Sequence, residues 1–307
     1  MMIGMQNKLI DIRQYLQPEI VSNLRSLDLV AKLIVEGFLV GLHKSPYHGF
    51  SAEFSEHRQY MPGDDIKDID WKVYGRTNRF YIKQYEEETN LKAYIILDIS
   101  GSMGYKSRNI TKIQYATYLA AALAYLFIKQ RDAVGLVTFS DGIKRLLPPK
   151  SSPAYLNFIL KELANIQLSQ KKTSLSQTLH IMAEKIQRRG LIILLTEFLY
   201  EDPKNILEGL KHFRHYKHEI LVFNILDPND LYFQFKDDAT FVDMETGEKL
   251  KVQPYYLQES YRTKIDDFYK KLRSECINFQ IDFQNVLTSE SFDKALIRYL
   301  LKRKKLY

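Results

Sequence analysis

The chain has 307 residues, of which 45% are hydrophobic and 26% are charged, and its formal net charge is +7. This composition is typical of a globular protein and excludes the collagen-like, disordered and disulfide-scaffold classes. Cys276 is the single cysteine and cannot form an internal disulfide, and the first 18 residues lack the apolar core of a secretory signal, so we expect a cytoplasmic protein.

The first part of the chain predicts helices followed by loops. Apolar residues recur at helical spacing between residues 20 and 38, which predicts one or two helices. Residues 43–79 are dense in Gly, Pro, Asp and Arg, and within them residues 75–78 are predicted to form a turn. Residues 80–87 alternate between apolar and polar side chains, as expected for a strand.

From residue 91 the pattern changes to strands alternating with helices, so we expect residues 1–90 and 91–307 to form separate parts. The predicted strands are 93–97, 133–139, 143–147, 191–196, 219–226 and 278–283, with a hairpin at 237–252. The predicted helices are 112–129, 154–164, 175–188, 203–213, 255–274 and 289–302. This alternation predicts an α/β fold with a doubly wound, mainly parallel sheet that helices cover on both faces.

The loop after the first strand of this sheet carries the strongest chemical signal. It reads D-x-S-x-S, in which Asp98, Ser100 and Ser102 directly follow a buried strand. Functional crevices in such sheets lie beyond the carboxyl ends of the strands. One carboxylate and two hydroxyls are hard oxygen donors that suit one side of a divalent cation. Capping of the next helix by Asp98 and Ser100 is the structural alternative.

Two later loops bring oxygen donors to the same edge of the predicted sheet. Thr173 and Ser174 precede a helix, and Glu197 follows the strand 191–196 at a position where nothing structural demands an acid. The five predicted ligands of this oxygen-only site are Asp98, Ser100, Ser102, Thr173 and Glu197. Mg²⁺ keeps several waters and suits such a sparse, partly open site, with Mn²⁺ and Ca²⁺ as alternatives.

Residues 91–228 resemble a von Willebrand factor A domain. The metal-ion-dependent adhesion site of that fold uses D-x-S-x-S on the first loop, a Thr on the second and usually an Asp on the third. The resemblance assigns Thr173 to the second loop, with Ser174 as the fallback, and Glu197 stands where the Asp is expected. The extra methylene of Glu197 leaves open whether this acid binds the ion directly or through water.

A second resemblance lies just before that domain. Residues 58–72 read RQYMPGDDIKDIDWK and residues 75–77 read GRT. Together with the D-x-S-x-S loop they resemble the signature of the domain-of-unknown-function family 58, which usually has Arg in place of Lys67 and Ala in place of Gly75. Members are encoded beside AAA+ ATPases of the MoxR type. The resemblance implies an adaptor or chaperone-like partner of such an ATPase, with no established catalytic activity.

The predicted function is therefore a non-catalytic interaction module that binds an acidic group of another protein through a divalent cation. The alternative is a metal-dependent phosphohydrolase with Asp98 as the nucleophile. Against it, the Ser100 hydroxyl cannot act as a general acid near neutral pH, and no Lys or His stands at a strand end to replace it. Residues 37–45 lack the adjacent Gly and Lys of a phosphate-cradling loop, so ATP hydrolysis is assigned to the partner.

Membranes and nucleic acids are minor options for this sequence. The longest nearly apolar run, residues 115–128, is shorter than the roughly 17 to 25 residues that a membrane-spanning helix needs. Basic residues are scattered, so no specific nucleic-acid binding is predicted. The one dense basic cluster is at residues 302–305, which is typical of a solvated helix end and leaves a peripheral membrane contact open.

Overall fold

The structure is a computed structural model and describes residues 17–21, 26–43, 58–59, 71–82, 91–169, 175–198, 202–235, 238–244 and 247–304. Its strands are β1 (Arg58–Gln59), β2 (Tyr81–Ile82), β3 (Lys92–Asp98), β4 (Ala133–Phe139), β5 (Ile143–Lys150), β6 (Leu191–Thr196), β7 (Glu219–Leu226), β8 (Ala239–Val242), β9 (Lys249–Val252) and β10 (Ile281–Leu287). Its helices are α1 (Pro18–Val21), α2 (Leu27–His43), α3 (Trp71–Thr77), α4 (Lys112–Lys129), α5 (Pro153–Ala164), α6 (Leu175–Lys185), α7 (Pro203–His215), α8 (Pro228–Tyr232), α9 (Pro254–Asn278) and α10 (Phe292–Lys304).

Six strands form a central sheet in the order β10-β7-β6-β3-β4-β5. Five of them run parallel, and β5 alone pairs antiparallel, with β4. The α/β class and the mainly parallel sheet predicted from the sequence are confirmed. The strand order reverses between β3 and β6, and the carboxyl ends of the two strands at such a reversal border the crevice in which open α/β sheets bind ligands.

Helices cover both faces of the sheet, as the doubly wound prediction requires. Successive side chains of a strand point to opposite faces. On β3, Ile95 and Leu97 belong to the apolar core that contains α2, α4, α5 and α10. Ile96 between them belongs to a second core, with α6, α7 and α9. The two cores hold the sheet rigidly between helices, so its carboxyl edge is a firm base for a site.

The helix α4 matters for the site because of how it begins. Thr111 caps it, accepting a hydrogen bond from the backbone N–H of Gln114, whose side chain accepts from the N–H of Thr111 in return. This reciprocal cap fixes the first turn. Lys112 is consequently held as the first residue of the helix, at the carboxyl edge of the sheet.

The turn predicted at residues 75–78 is wrong, because Gly75 lies inside α3. Aromatic packing stabilises this short helix: Tyr74 stacks on Phe80 with ring centroids 4.4 Å apart. Asn78, with a φ of 53°, follows its end. The helix predicted to stop at residue 274 runs to Asn278, which delays the last strand of the sheet to residue 281.

The separation at residue 90 stays a prediction, and residues 60–70 and 83–90 lie outside the described residues. In α2, Val30 and Ile34 pack in the same apolar core as α4. At the other end, α10 reaches Lys304. Among the described residues, no helix combines the length and the apolar character needed to cross a bilayer.

Candidate metal site

The structure brings the side chains of Asp98, Ser100 and Ser102 close together. Asp98 is the last residue of β3, and the chain then turns tightly through Gly101–Gly104. The backbone N–H of Ser100 donates to Oδ1 of Asp98 at 2.9 Å, and the hydroxyl oxygens of Ser100 and Ser102 lie 3.1 Å apart. All three side chains are buried. The loop therefore gathers one carboxylate and two hydroxyls in a water-poor corner.

The second oxygen of Asp98 is bound from the neighbouring strand. The hydroxyl of Thr196, the last residue of β6, donates to Oδ2 of Asp98. Burial raises the pKa of Asp98 to about 6, the hydrogen bonds from Thr196 and Ser100 act against that rise, and the charge of Glu197 adds to it. The described groups that stabilise the charged form of Asp98 are thus neutral, and a buried carboxylate in such surroundings gains from a cation placed beside it.

Glu197 lies next to Thr196, and its two carboxylate oxygens have different environments. Oε2 accepts a hydrogen bond from the ammonium group of Lys112. Oε1 is buried and has no hydrogen-bond partner among the described residues. Leaving a buried charged oxygen unsatisfied is costly. An oxygen in this state fits a position where a cation, or a water held by a cation, completes the site.

Lys112 was not found from the sequence. It is 2% exposed, and besides Glu197 its ammonium group contacts Oδ2 of Asp230 at 3.3 Å. Burial raises the pKa of Asp230, and the charge of Lys112 opposes that rise. The sequence did carry a signal, because the N-terminus of a helix repels cations and a lysine at the first position of a well-capped helix needs an acidic partner.

The second-loop ligand stays a prediction. Thr173 and its fallback Ser174 lie outside the described residues. On the N-terminal side, the backbone N–H of Ser169 donates to the carbonyl oxygen of Ile99 at 2.9 Å, so the chain passes the D-x-S-x-S loop shortly before residues 173 and 174. On the C-terminal side, Leu175 begins α6.

The capping alternative accounts for part of the loop. Asp98 does accept a bond from the N–H of Ser100, a local pattern common for Asp in tight loops. Ser100 precedes the tight turn but makes no side-chain capping bond. The long helix α4 uses its own cap, Thr111. Capping therefore leaves the hydroxyls of Ser100 and Ser102 unexplained.

The donors present fit a small, hard cation. Within the described ranges, no group of three or more His, Cys, Asp or Glu side chains is arranged to hold a metal. The oxygen donors that come together are instead the carboxylate of Asp98 and the hydroxyls of Ser100 and Ser102, with the charge of Glu197 near enough to raise the pKa of Asp98. Such a set suits an ion that retains several waters better than one that needs many carboxylates.

Met244, at the tip of the hairpin formed by β8 and β9, lies beside the D-x-S-x-S loop. A Cβ atom built on Gly101 would approach the carbonyl oxygen of Met244 to 3.0 Å, and one built on Gly104 would approach side-chain atoms of Leu168 and Met244 to 2.6 and 3.3 Å. Met244 follows β8, and both it and Leu168 keep large exposed fractions, 46% and 39%. The buried oxygen cluster thus has an accessible apolar rim.

Comparison with known proteins matches this chain to one family and several structures. The sequence model of the family described as "Protein of unknown function DUF58" matches residues 56–275, more than half of the chain. An uncharacterized protein of Mycobacterium bovis and one of Mycobacterium tuberculosis are each 25% identical to it over 232 residues, which cover 75% of this chain and 72% of each relative.

Solved structures similar to the chain include two bacterial proteins and a VWA domain. The conserved hypothetical protein BatB from Bacteroides thetaiotaomicron is 17% identical, with a TM-score of 0.43 over 70% of this chain and 99% of that one. An aerotolerance-related membrane protein from Bacteroides fragilis is 18% identical, with a TM-score of 0.44 over 69% and 99%. The SpRpn10 VWA domain is 11% identical, with a TM-score of 0.41 over 68% and 95%.

Proposed function

Because the chain belongs to the family DUF58, we propose that it is a metal-dependent protein-interaction module, an adaptor or chaperone-like partner of a MoxR-type AAA+ ATPase. The observation that carries the proposal is the buried cluster of Asp98, Ser100 and Ser102 at the point where the strand order reverses. Oε1 of Glu197, which is buried and has no hydrogen-bond partner among the described residues, adds to it. Buried oxygens that lack a compensating cation are expensive for a purely structural loop.

The chemistry of binding follows from the charges. A Mg²⁺ ion held by one carboxylate and neutral hydroxyls keeps residual positive charge and an open coordination position for an acidic side chain. Asp98 supplies the anionic anchor, and Ser100 and Ser102 supply neutral donors. Glu197 is the proposed third-loop donor and would offer one oxygen, directly or through water. Thr173 is the proposed donor from the second loop.

The surroundings of the loop support a protein as the partner. Leu168, Val242 and Met244 are apolar and exposed, and Leu168 and Met244 pack directly over Gly104. Interface cores favour such apolar contacts around a few polar anchors. A partner that presents a carboxylate to the ion would cover this rim at the same time. We propose that this happens in the cytoplasm.

Retention of the ATPase tests the proposal. The full chain is immobilised and a MoxR-type ATPase from the same organism is passed over it with Mg²⁺ and ATP present throughout, so that the ATPase itself is unaffected. We compare the wild type with Asp98→Ala and with a control, Asp141→Ala, which removes a more exposed acid just after β4. We expect retention by the wild type and the control and at least tenfold less by Asp98→Ala. Equal retention by all three would overturn metal-bridged docking.

One observation keeps a phosphohydrolase as the second candidate. Lys112 does not follow a strand, but its ammonium group reaches the edge of the sheet from the first turn of a helix. That ammonium group already contacts two carboxylates, and Ser100 still offers no general acid. Turnover of a generic phosphate ester that requires Mg²⁺ and disappears in Asp98→Ala would favour the hydrolase.

A further inference from the structure

The ammonium group of Lys112 is buried against Glu197, one of the proposed metal ligands. Burying an ammonium group is unfavourable unless acids compensate it. Two acids do so here: Glu197, which binds it through Oε2, and Asp230, at 3.3 Å. Glu197 follows β6, while Asp230 lies in α8 after β7. Lys112 thus links the loops that follow two neighbouring strands, and it fixes the orientation of the Glu197 carboxylate.

Because of this contact, Glu197 has one oxygen engaged and one oxygen available. Oε2 is bound to the ammonium group, while Oε1 is buried with no hydrogen-bond partner among the described residues. A carboxylate held in this way can offer a cation, or a water bound to the cation, a single oxygen. Binding through both oxygens would bring the cation to Oε2 as well, where its charge is repelled by the ammonium group of Lys112.

We infer that Lys112 determines which divalent cation the site accepts, favouring Mg²⁺ over Ca²⁺. The inference rests on the proposed metal site. Ca²⁺ takes six to eight oxygens and is commonly bound by both oxygens of a carboxylate, whereas Mg²⁺ uses one or two carboxylates and keeps its waters. By repelling a cation from Oε2, Lys112 disfavours the bidentate carboxylate contact that Ca²⁺ commonly uses.

The positive charge of Lys112 also favours Mg²⁺ over Ca²⁺. The ammonium group offsets part of the negative charge that Glu197 and Asp230 bring to the corner, and tight Ca²⁺ sites depend on the number of charged ligands. The serine hydroxyls of the D-x-S-x-S loop add no charge. Lys112 is therefore a specificity-determining residue, distinct from the ligands themselves, and its removal should change the two affinities unequally.

Calorimetric titration of the full chain with Mg²⁺ and with Ca²⁺ tests this. The variants are Lys112→Met, which keeps the length of the side chain without its charge, and the double variant Lys112→Met with Glu197→Gln. We expect Lys112→Met to bind Ca²⁺ at least tenfold more tightly and Mg²⁺ with a smaller change, so the ratio of Mg²⁺ to Ca²⁺ affinity falls. The double variant should lose the gain for Ca²⁺, because glutamine is a poor bidentate ligand.

The outcomes separate the two claims. A wild type that binds neither ion at millimolar concentration contradicts the metal site and the inference with it. A wild type that binds Mg²⁺, with an unchanged affinity ratio in Lys112→Met, contradicts the inference alone. If Lys112→Met folds only with added cation, the concentrations of Ca²⁺ and Mg²⁺ that restore its melting transition replace the titration. A lower requirement for Ca²⁺ supports the inference, and an equal or higher one overturns it.

Discussion

Asp98 ends β3 and Glu197 follows the neighbouring strand β6, yet the charges of these two acids are compensated in different ways. Around Asp98 the donors are neutral: the backbone N–H of Ser100 and the hydroxyl of Thr196. Glu197 instead has a full positive charge beside it, from Lys112. The difference indicates which of the two loops a bound divalent cation would stabilise more. Within the part of the chain that the structure describes, the carboxylate of Asp98 in the first loop has no positive counter-charge, whereas that of Glu197 in the third loop has Lys112.

The largest effect on stability is expected from removing the ammonium group of Lys112. Lys112→Met leaves Glu197 as a buried acid without its charged partner, and breaking a buried pair in this way typically costs about 3 to 5 kcal/mol. We expect that loss in the free energy of unfolding, measured with urea at pH 7 in the presence of EDTA. Lys129→Met, at the exposed end of the same helix, is the control and should change it by less than about 0.5 kcal/mol.

A loss below about 1 kcal/mol in Lys112→Met would show that Glu197 does not depend on the ammonium group. The contrast between the two loops would then disappear.

Removing the charge of Asp98 should raise the free energy of unfolding, which is the opposite of the effect expected for Lys112→Met. Its pKa is about 6 in the folded chain against a usual value of 3.8, so between these values the folded state binds more protons than the unfolded state. This group therefore makes stability fall as pH rises from about 4 to about 6, and above that window the cost is about 2 to 3 kcal/mol. Asp98→Asn, which carries no charge, should recover this energy at pH 7 without metal.

Urea unfolding in EDTA at pH 4 and pH 7 checks the prediction, with Asp141→Asn as the control that brings no gain. At pH 4 the stabilisation in Asp98→Asn should be nearly absent, because the wild-type carboxyl is largely protonated in the folded state. Destabilisation at pH 7 would mean that Thr196 and Ser100 compensate the charge of Asp98 fully.

The smallest effect concerns the hairpin tip beside the first loop. In Gly101→Ala the new methyl group meets the carbonyl oxygens of Met244 and Ser169, at 3.0 and 3.2 Å, so the tip must move. We expect a loss of about 1 kcal/mol, the lower end of the range for overpacking. Gly142→Ala, where a Cβ meets nothing within 4 Å, is the control. Thermal unfolding that shifts equally in both variants would argue against close packing of the tip on the loop.

The sequence predicted most strands of the sheet because short local patterns mark them. The helix at 112–129 and the strands 133–139, 191–196 and 219–226 are confirmed with their bounds, since hydrophobic runs and turn residues mark them. The short helix α3 was missed because contacts of Trp71, Tyr74 and Phe80 outweigh the turn tendency of Gly75. Tertiary packing overrides local preference in short elements.

The candidate site also divides into residues that local sequence marks and residues that only tertiary contacts bring together. Asp98, Ser100 and Ser102 were predictable because five consecutive residues contain them, and Glu197 because it directly follows a strand. The pairing of Lys112 with Glu197 and Asp230 spans 85 and 118 residues of sequence. It depends on which loops the strand order brings together, and an unaligned sequence gives the types of these residues without their partners.

The central claim is that Asp98 anchors one divalent cation. Titration of the full chain with Mn²⁺, followed by the electron paramagnetic resonance signal of the free ion, measures it most directly in the wild type, Asp98→Ala and the control Asp141→Ala. We predict one bound ion per chain in the wild type and the control, and none in Asp98→Ala at the same concentrations. One ion bound by Asp98→Ala with the affinity of the wild type would contradict the account.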